Sequence, residues 1–198
     1  MQFKAFEEGI EVNGQTVYAF VDGMGKFKSL GEQYMSNVGI GAMKGGKWLF
    51  DVNGWYPQQA WLDAFSTIAA EVGDGVLYTI GRAIPANARF PYGITDIYSA
   101  IRAIDIAYHI NHRKNGKGCL YDAAAEIMYE GIGHYGYEQA PRKNFILSVS
   151  HNPYPCAFDM GIISAMAHKY DTKVMVIHDD SKPCRKNGAE TCTYLVSW

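Results

Sequence analysis

The spacing of apolar residues changes period along this chain, and each change marks an element. Between residues 9 and 21, β-branched and aromatic side chains flank Asn13-Gly14, which predicts a hairpin of strands 9–12 and 15–21. Glycines then crowd residues 23–46, which predicts loops and an N-terminal β/loop arm over residues 1–50, suited to packing on a second copy. From Pro57 the period becomes helical. Ala60, Trp61, Ala64, Phe65, Ile68, Ala69 and Val72 share one face, with Pro57 in the first turn. A short helix is predicted over 75–84. "PYGITD" reads as a stop and a start, with Thr95 as N-cap and Asp96 in the first turn. Ile97, Ile101, Ile104 and Tyr108 form the buried stripe of the helix that follows.

After "RKNGKG" the period falls to two. Residues 119–122, 127–137 and 144–150 are predicted strands of an antiparallel sheet. "NPYPC" opens a further helix with Phe158, Ile162, Met166 and Tyr170 on its stripe. A short buried strand over 173–177 and a last strand over 191–198 complete the order. This order predicts an α+β fold, helices packed on an antiparallel sheet, with residues 51–198 as a ligand-binding domain.

Composition narrows the class. The 198 residues are 48% hydrophobic, enough for one domain with its own core. A net charge of -2 supplies no basic field, which argues against nucleic acid as the main partner. No apolar run reaches the roughly 18–20 residues that span a bilayer, and the start lacks the features of a secretory signal. A cytoplasmic protein is expected. Fourteen tyrosines suit a pocket for an aromatic ligand, and they suit strand faces equally.

In a reducing compartment, four cysteines point to metal ligation or burial rather than to disulfides. Cys156 opens the last helix, whose dipole favours its thiolate. Cys184 and Cys192 flank "RKNGAET", a turn that joins two strand ends. If the helix packs with its N-terminus at that turn, three thiolates converge. A tetrahedral zinc ion then needs a fourth ligand, from Asp180, Asp179, His178 or His151. Spacing alone leaves buried free thiols open as well, and Cys119 stands apart.

The run "NPYPCAFDMGIISAMAHKY…KVMVIHDDSKPCRKNGAETCTYLVSW" resembles the end of a 4-vinyl reductase domain. That family belongs to a fold group that includes haem nitric-oxide sensors and TRAPP-type tethering subunits. The resemblance covers residues 57–198, and its last fifty residues are the specific part. It implies that Cys156, Cys184 and Cys192 are zinc ligands, with an acidic fourth ligand. The acid sits two or three residues before the first paired cysteine in relatives, where this chain has Lys182 and Ser181 and places Asp180 one step further. Such a closed site would be structural.

The same resemblance implies a small-molecule sensor domain, with phenols and other aromatics bound between helices and sheet. Tyr108, His109, His134 and Tyr135 are the candidate ligand-binding residues. His134 and Tyr135 are adjacent, so only one faces a pocket. Asp105 and His109 also suit a plain helix pair, and His112 a C-terminal dipole contact. Output would pass through a homodimer or a separate effector protein.

Three other classes compete. A haem-based gas sensor needs a free histidine facing a large cavity, and the family's Tyr-x-Ser-x-Arg clamp has only "YSAIR" (Tyr98–Arg102), out of register. A zinc-containing enzyme would need an open metal position or a nicotinamide fingerprint, and the glycine runs supply none. A scaffold subunit would need an obligate partner. The expectation is a non-enzymatic sensor.

Overall fold

Asn13-Gly14 starts a helix and not a hairpin. In the computed structural model, which describes residues 2–141 and 144–198, strand β1 (Ile10–Asn13) runs straight into helix α1 (Gly14–Gly23). The Asn13 side chain accepts from the Thr16 N–H at 2.8 Å, the geometry of an N-cap. A Cβ on Gly14 would lie 2.7 Å from the carbonyl oxygens of Asp51 and Val52, so only glycine fits. Cap and close approach together overturn the hairpin, and Val17, Phe20 and Val21 are buried on a helix instead.

Helix α2 (Lys28–Asn37), the hairpin β2 (Ala42–Lys44) with β3 (Lys47–Leu49), and strand β4 (Trp55–Pro57) follow. Residues 1–50 send Ile10, Val12, Val17, Phe20, Met35 and Ile40 into the main core. Helix α3 (Gln58–Glu71) starts after Pro57 and buries Trp61, Leu62, Phe65 and Ile68. Helix α4 (Asp74–Asn87) outruns its predicted end, with Pro85 near its C-terminus. For α5 (Ile97–Ile110) the cap is Asp96 rather than Thr95. Asp96 accepts from the Ser99 N–H at 2.7 Å and Ser99 Oγ accepts from the Asp96 N–H at 3.0 Å, a closed capping box.

Then come β5 (His112–Lys114), β6 (Lys117–Gly118), β7 (Leu120–Asp122), β8 (Ile127–Met128), β9 (His134–Gln139) and β10 (Phe145–His151). Helix α6 (Cys156–His168), β11 (Met175–His178) and β12 (Cys192–Ser197) complete the chain. Two four-stranded antiparallel sheets result, in the orders β4-β1-β5-β6 and β11-β12-β10-β9, beside the two-stranded pairs β2-β3 and β7-β8. The strand predicted over 127–137 breaks at a 3-10 turn, Glu130–Ile132. Gly133 follows at φ 79°, where a Cβ would lie 2.0 Å from the His151 carbonyl oxygen. Strand β11 is an edge and not a buried strand, with Met175 and Ile177 about half exposed.

Two glycines set the helix that matters most for the site. α6 crosses α4 where Gly81 meets Gly161: a Cβ on Gly81 would lie 2.0 Å from the Phe158 carbonyl oxygen, and one on Gly161 2.2 Å from that of Tyr78. This contact brings Phe158 and Ile162 beside Ile84. Tyr194 of β12 ties the start of α6 to the sheet by donating to the Cys156 carbonyl at 2.9 Å. No described helix is long and apolar enough to cross a membrane.

Candidate functional site

Two features stand at the start of α6. The first is a cavity of about 30 Å³ walled by Trp61, Ile84, Tyr108, Tyr135, Tyr154 and Phe158 among others. It has room for about one water molecule. The rings pack edge to face, with centroids 5.3 Å apart for Trp61 and Tyr154 and 5.4 Å for Tyr108 and Tyr135.

Each tyrosine hydroxyl of this wall has a partner. Tyr108 donates to the Ile132 carbonyl at 2.7 Å, and Tyr135 donates to Asp159 at 2.6 Å. Gln58 donates to Tyr154 Oη at 3.0 Å, and Tyr154 donates onward to His112 Nε2 at 2.8 Å. His112 Nδ1 faces the Tyr108 carbonyl at 2.6 Å, so it carries the proton and Nε2 is the acceptor. Burial lowers the His112 pKa to about 3, so the ring is neutral.

The four expected ligand-binding residues divide in two. Tyr108 and Tyr135 line the cavity, whereas His109 and His134 do not. His109 is fully buried, bonded through Nδ1 to the Asp105 carbonyl at 2.8 Å, and its Nε2 has no hydrogen-bond partner. His134 projects from the other face of β9, between Asp105 at 3.0 Å and Glu130 at 2.8 Å. The hydrogen bond to Asp105 raises its pKa to about 9. Asp105 therefore serves His134 more closely than His109, which it meets at 3.6 Å.

The second feature is a thiol cluster. Cys156 Sγ lies 3.0 Å from Cys192 Sγ and 3.4 Å from Cys184 Sγ, with 3.8 Å between the last two. The fourth member is His178: one potential ligand atom from each of the four residues lies within 4.8 Å of the others. His178 Nε2 is buried without a hydrogen-bond partner, and its Nδ1 bonds Asp180 at 2.7 Å. Asp180 thus stands behind the histidine rather than among the sulfurs. Asp179 bonds Ser181, and His151 packs tilted against Phe6 with ring centroids 4.9 Å apart. The hydrogen bond from Cys156 and the charge of Arg185 hold the Cys192 thiol well below its usual range. Cys119 is buried elsewhere, its pKa pushed up to about 11 by burial.

Between the two lies a buried polar group that sequence reasoning missed. Arg185 pairs with Asp159, both fully buried, and also donates to the Asn152 carbonyl at 2.5 Å and faces Cys192 Sγ at 3.4 Å. Two signals were present. Asp159 interrupts an apolar helix stripe three residues after Cys156, and Arg185 directly follows Cys184. A lone acid in a core helix calls for a buried cation.

Sequence reasoning offers His112 for a pocket, and the structure places it in the lining; it misses Trp61, Tyr154 and Phe158. These three lie in two separate segments, which the Gly81–Gly161 crossing and the turn after β10 bring together.

No family model matches this chain, and no curated protein does either. Solved structures do. An H-NOX protein from S. oneidensis, a triple mutant in the Fe(II) ligation state, matches with a TM-score of 0.60 at 13% identity, over 93% of this chain and 95% of that one. The same organism's H-NOX protein in the Fe(II)NO state gives 0.58 at 14%, over 93% and 98%. An unliganded Fe(II) H-NOX mutant from K. algicida gives 0.56 at 13%, over 93% and 95%.

These likenesses correct the expectation of zinc as cofactor: the solved proteins of this fold are iron proteins, and one related structure concerns haem and porphyrin distortion. Haem is therefore the group to test against the residues of this chain. The side chains do not fit one. Both nitrogens of His112 are engaged, the free nitrogen of His109 lies outside the cavity lining, and the cavity is far below the roughly 300–1,000 Å³ of a cofactor or drug-sized site. At this identity the comparisons show the fold, that of the haem nitric-oxide-binding group, and they do not extend to 4-vinyl reductase membership.

Proposed function

We propose that this chain is a sensor domain for a small neutral molecule, bound without haem in the aromatic-walled cavity between α3, α4, α5, α6 and β9. The observation that carries the reading is the cavity itself, apolar-lined and flanked by packed rings, in a fold shared with H-NOX proteins. Size decides the ligand class. A diatomic gas gains at most about 3 kcal/mol from two heavy atoms, which is weaker than about 1 mM without a metal to hold it. A one-ring molecule of about seven heavy atoms has enough contact to bind usefully.

Such a ring needs more room than the cavity offers, and one residue is placed to give it. Phe90 borders both the cavity and a surface cleft of about 550 Å³ lined by Pro91, Tyr92, Ile94, Ala103 and Ile106. Turning Phe90 aside would join the two. The thiol cluster enters the same reading as a clamp. Cys156, Cys184, Cys192 and His178 are proposed as a metal-ligating set that ties α6 to β11 and β12, which the unpartnered His178 Nε2 supports. Output would pass through a second copy or an effector protein.

Phenol titration followed by calorimetry and thermal shift tests this. Saturable binding at one per chain, lost in the cavity-filling Ala107→Leu, is expected. No binding, or binding that Ala107→Leu leaves intact, would overturn the cavity as the site. Hemin added in parallel is expected to give no stoichiometric Soret band, and a stable one-to-one band would replace this reading with a haem sensor.

A further inference from the structure

The cavity and the thiol cluster share a row of one sheet. Tyr135 of β9 lies opposite Ser150 of β10, which lies opposite Cys192 of β12. All three side chains are buried on the face that α6 covers. Tyr135 is a cavity wall and Cys192 is a member of the cluster, so the two features are two strands apart, about 10 Å at the usual strand spacing.

A continuous set of polar contacts bridges that distance above the row. Tyr135 Oη donates to Asp159 Oδ1 at 2.6 Å. The other oxygen of Asp159 takes Arg185 Nη2 and, at 3.2 Å, Asn152 Nδ2. Arg185 then reaches Cys192 twice, through its backbone N–H at 3.3 Å and its Nε at 3.4 Å. Asn152 turns back to the cavity, accepting from the backbone N–H of Tyr154 at 2.9 Å. Asp159, Asn152 and Arg185 have almost no exposed surface, so water cannot substitute for any lost contact.

We propose that Tyr135, Asp159 and Arg185 form a buried relay that couples occupancy of the cavity to the state of the thiol cluster. This rests on the cavity being the ligand site proposed above. A ligand that presses on Tyr135 or takes its hydroxyl as a partner loosens one of the contacts that hold Asp159. The carboxylate then turns toward Arg185, and the guanidinium shifts relative to the Cys192 sulfur. The low local dielectric makes each contact strong, which is why a small displacement at one end is felt at the other. Linkage makes the effect reciprocal: whatever factor the ligand imposes on the cluster, the cluster imposes on ligand affinity.

Thiol exchange with an aromatic disulfide reagent reads the cluster, and buried Cys119 serves as an internal control because it lies outside both features. With saturating phenol, the exchange rate of the cluster thiols is expected to change at least about threefold while Cys119 stays unchanged, a factor typical of modest coupling. In Tyr135→Phe the phenol effect on the cluster is expected to vanish at whatever concentration saturates that variant. Equal changes at Cys119 and the cluster would mean global stabilisation and overturn the relay. So would bound phenol with no change at the cluster, or a phenol effect that survives in Tyr135→Phe. Should phenol not bind at all, the ligand reading fails by itself. The relay is then decided without ligand: Tyr135→Phe must still alter the cluster rate relative to Cys119, and an unaltered ratio refutes it.

Discussion

The aromatic wall and the thiol cluster sit at the same end of α6, with Phe158 in one and Cys156 in the other, yet they follow opposite rules. In the wall, Tyr108, Tyr135 and Tyr154 each spend their hydroxyl on an internal acceptor, and His112 is neutral with both nitrogens bonded. The tyrosines and His112 are thus satisfied, while Thr16 Oγ1 and Trp61 Nε1 of the same lining have no hydrogen-bond partner. In the cluster, three sulfurs crowd to 3.0–3.8 Å around an imidazole nitrogen that has no hydrogen-bond partner. A ligand at the wall would have to disturb hydrogen bonds that the tyrosines already make, whereas a group held by the three sulfurs and His178 would add contacts that the cluster does not make within itself. The difference separates a site read by displacement from one read by added stability.

The buried pair between them provides the largest expected effect. Asp159→Ala leaves the Arg185 charge buried and unpaired, which costs about 3–5 kcal/mol, to be read by urea denaturation. Adding Arg185→Met should recover most of that loss, because a buried pair is worth little against apolar replacements of similar size. If the double variant is as unstable as Asp159→Ala, the guanidinium is needed for its contacts to Asn152 and Cys192 and not only as a counter-charge. Tyr154→Phe probes the wall alone. It strips His112 Nε2 and Gln58 of their partner, at about 1–3 kcal/mol, and should leave the cluster's thiol exchange relative to Cys119 unchanged.

The two regions were legible in the sequence to different degrees. Cys156, Cys184 and Cys192 converge as their places at a helix start and a turn required, because local rules position each end. The fourth member was harder to read: acidity favoured Asp180, but alternation along β11 turns His178 toward the sulfurs and leaves Asp180 on the loop beyond it. The helices over 58–71 and 97–110 followed from periodicity, since both bury a single stripe.

The hairpin at Asn13-Gly14 did not. The pair suits a turn and an N-cap equally, and the close approach of residues 51 and 52 that decides between them is a tertiary contact. The cavity wall was the least legible. Its rings come from α3, α5, β5, β9, α6 and the loops after α4 and before α6, and no local pattern records that they meet.

Two histidines on the strands beside α5 carry pH effects of opposite sign. His134 has a folded pKa raised from 6.5 to about 9 by Asp105 and Glu130. Its contribution is therefore full below about pH 6.5 and is lost as the pH rises through about 9. The side chain is partly exposed, so screening limits this to about 1 kcal/mol. His112 behaves in reverse: burial lowers its pKa to about 3, so its contribution is full above about pH 6.5 and is lost as the pH falls toward 3. Urea midpoints measured from pH 4 to 10 should thus fall on both sides of neutrality. His134→Gln should flatten the alkaline side only, because it leaves the Tyr108–His112–Tyr154 chain untouched. An alkaline slope that persists in His134→Gln would assign it to another group and remove the Asp105–His134 bridge from the forces holding β9 against α5. Tyr135 would then depend on its own backbone N–H bond to Asp105, 2.8 Å long, to keep its ring at the cavity wall.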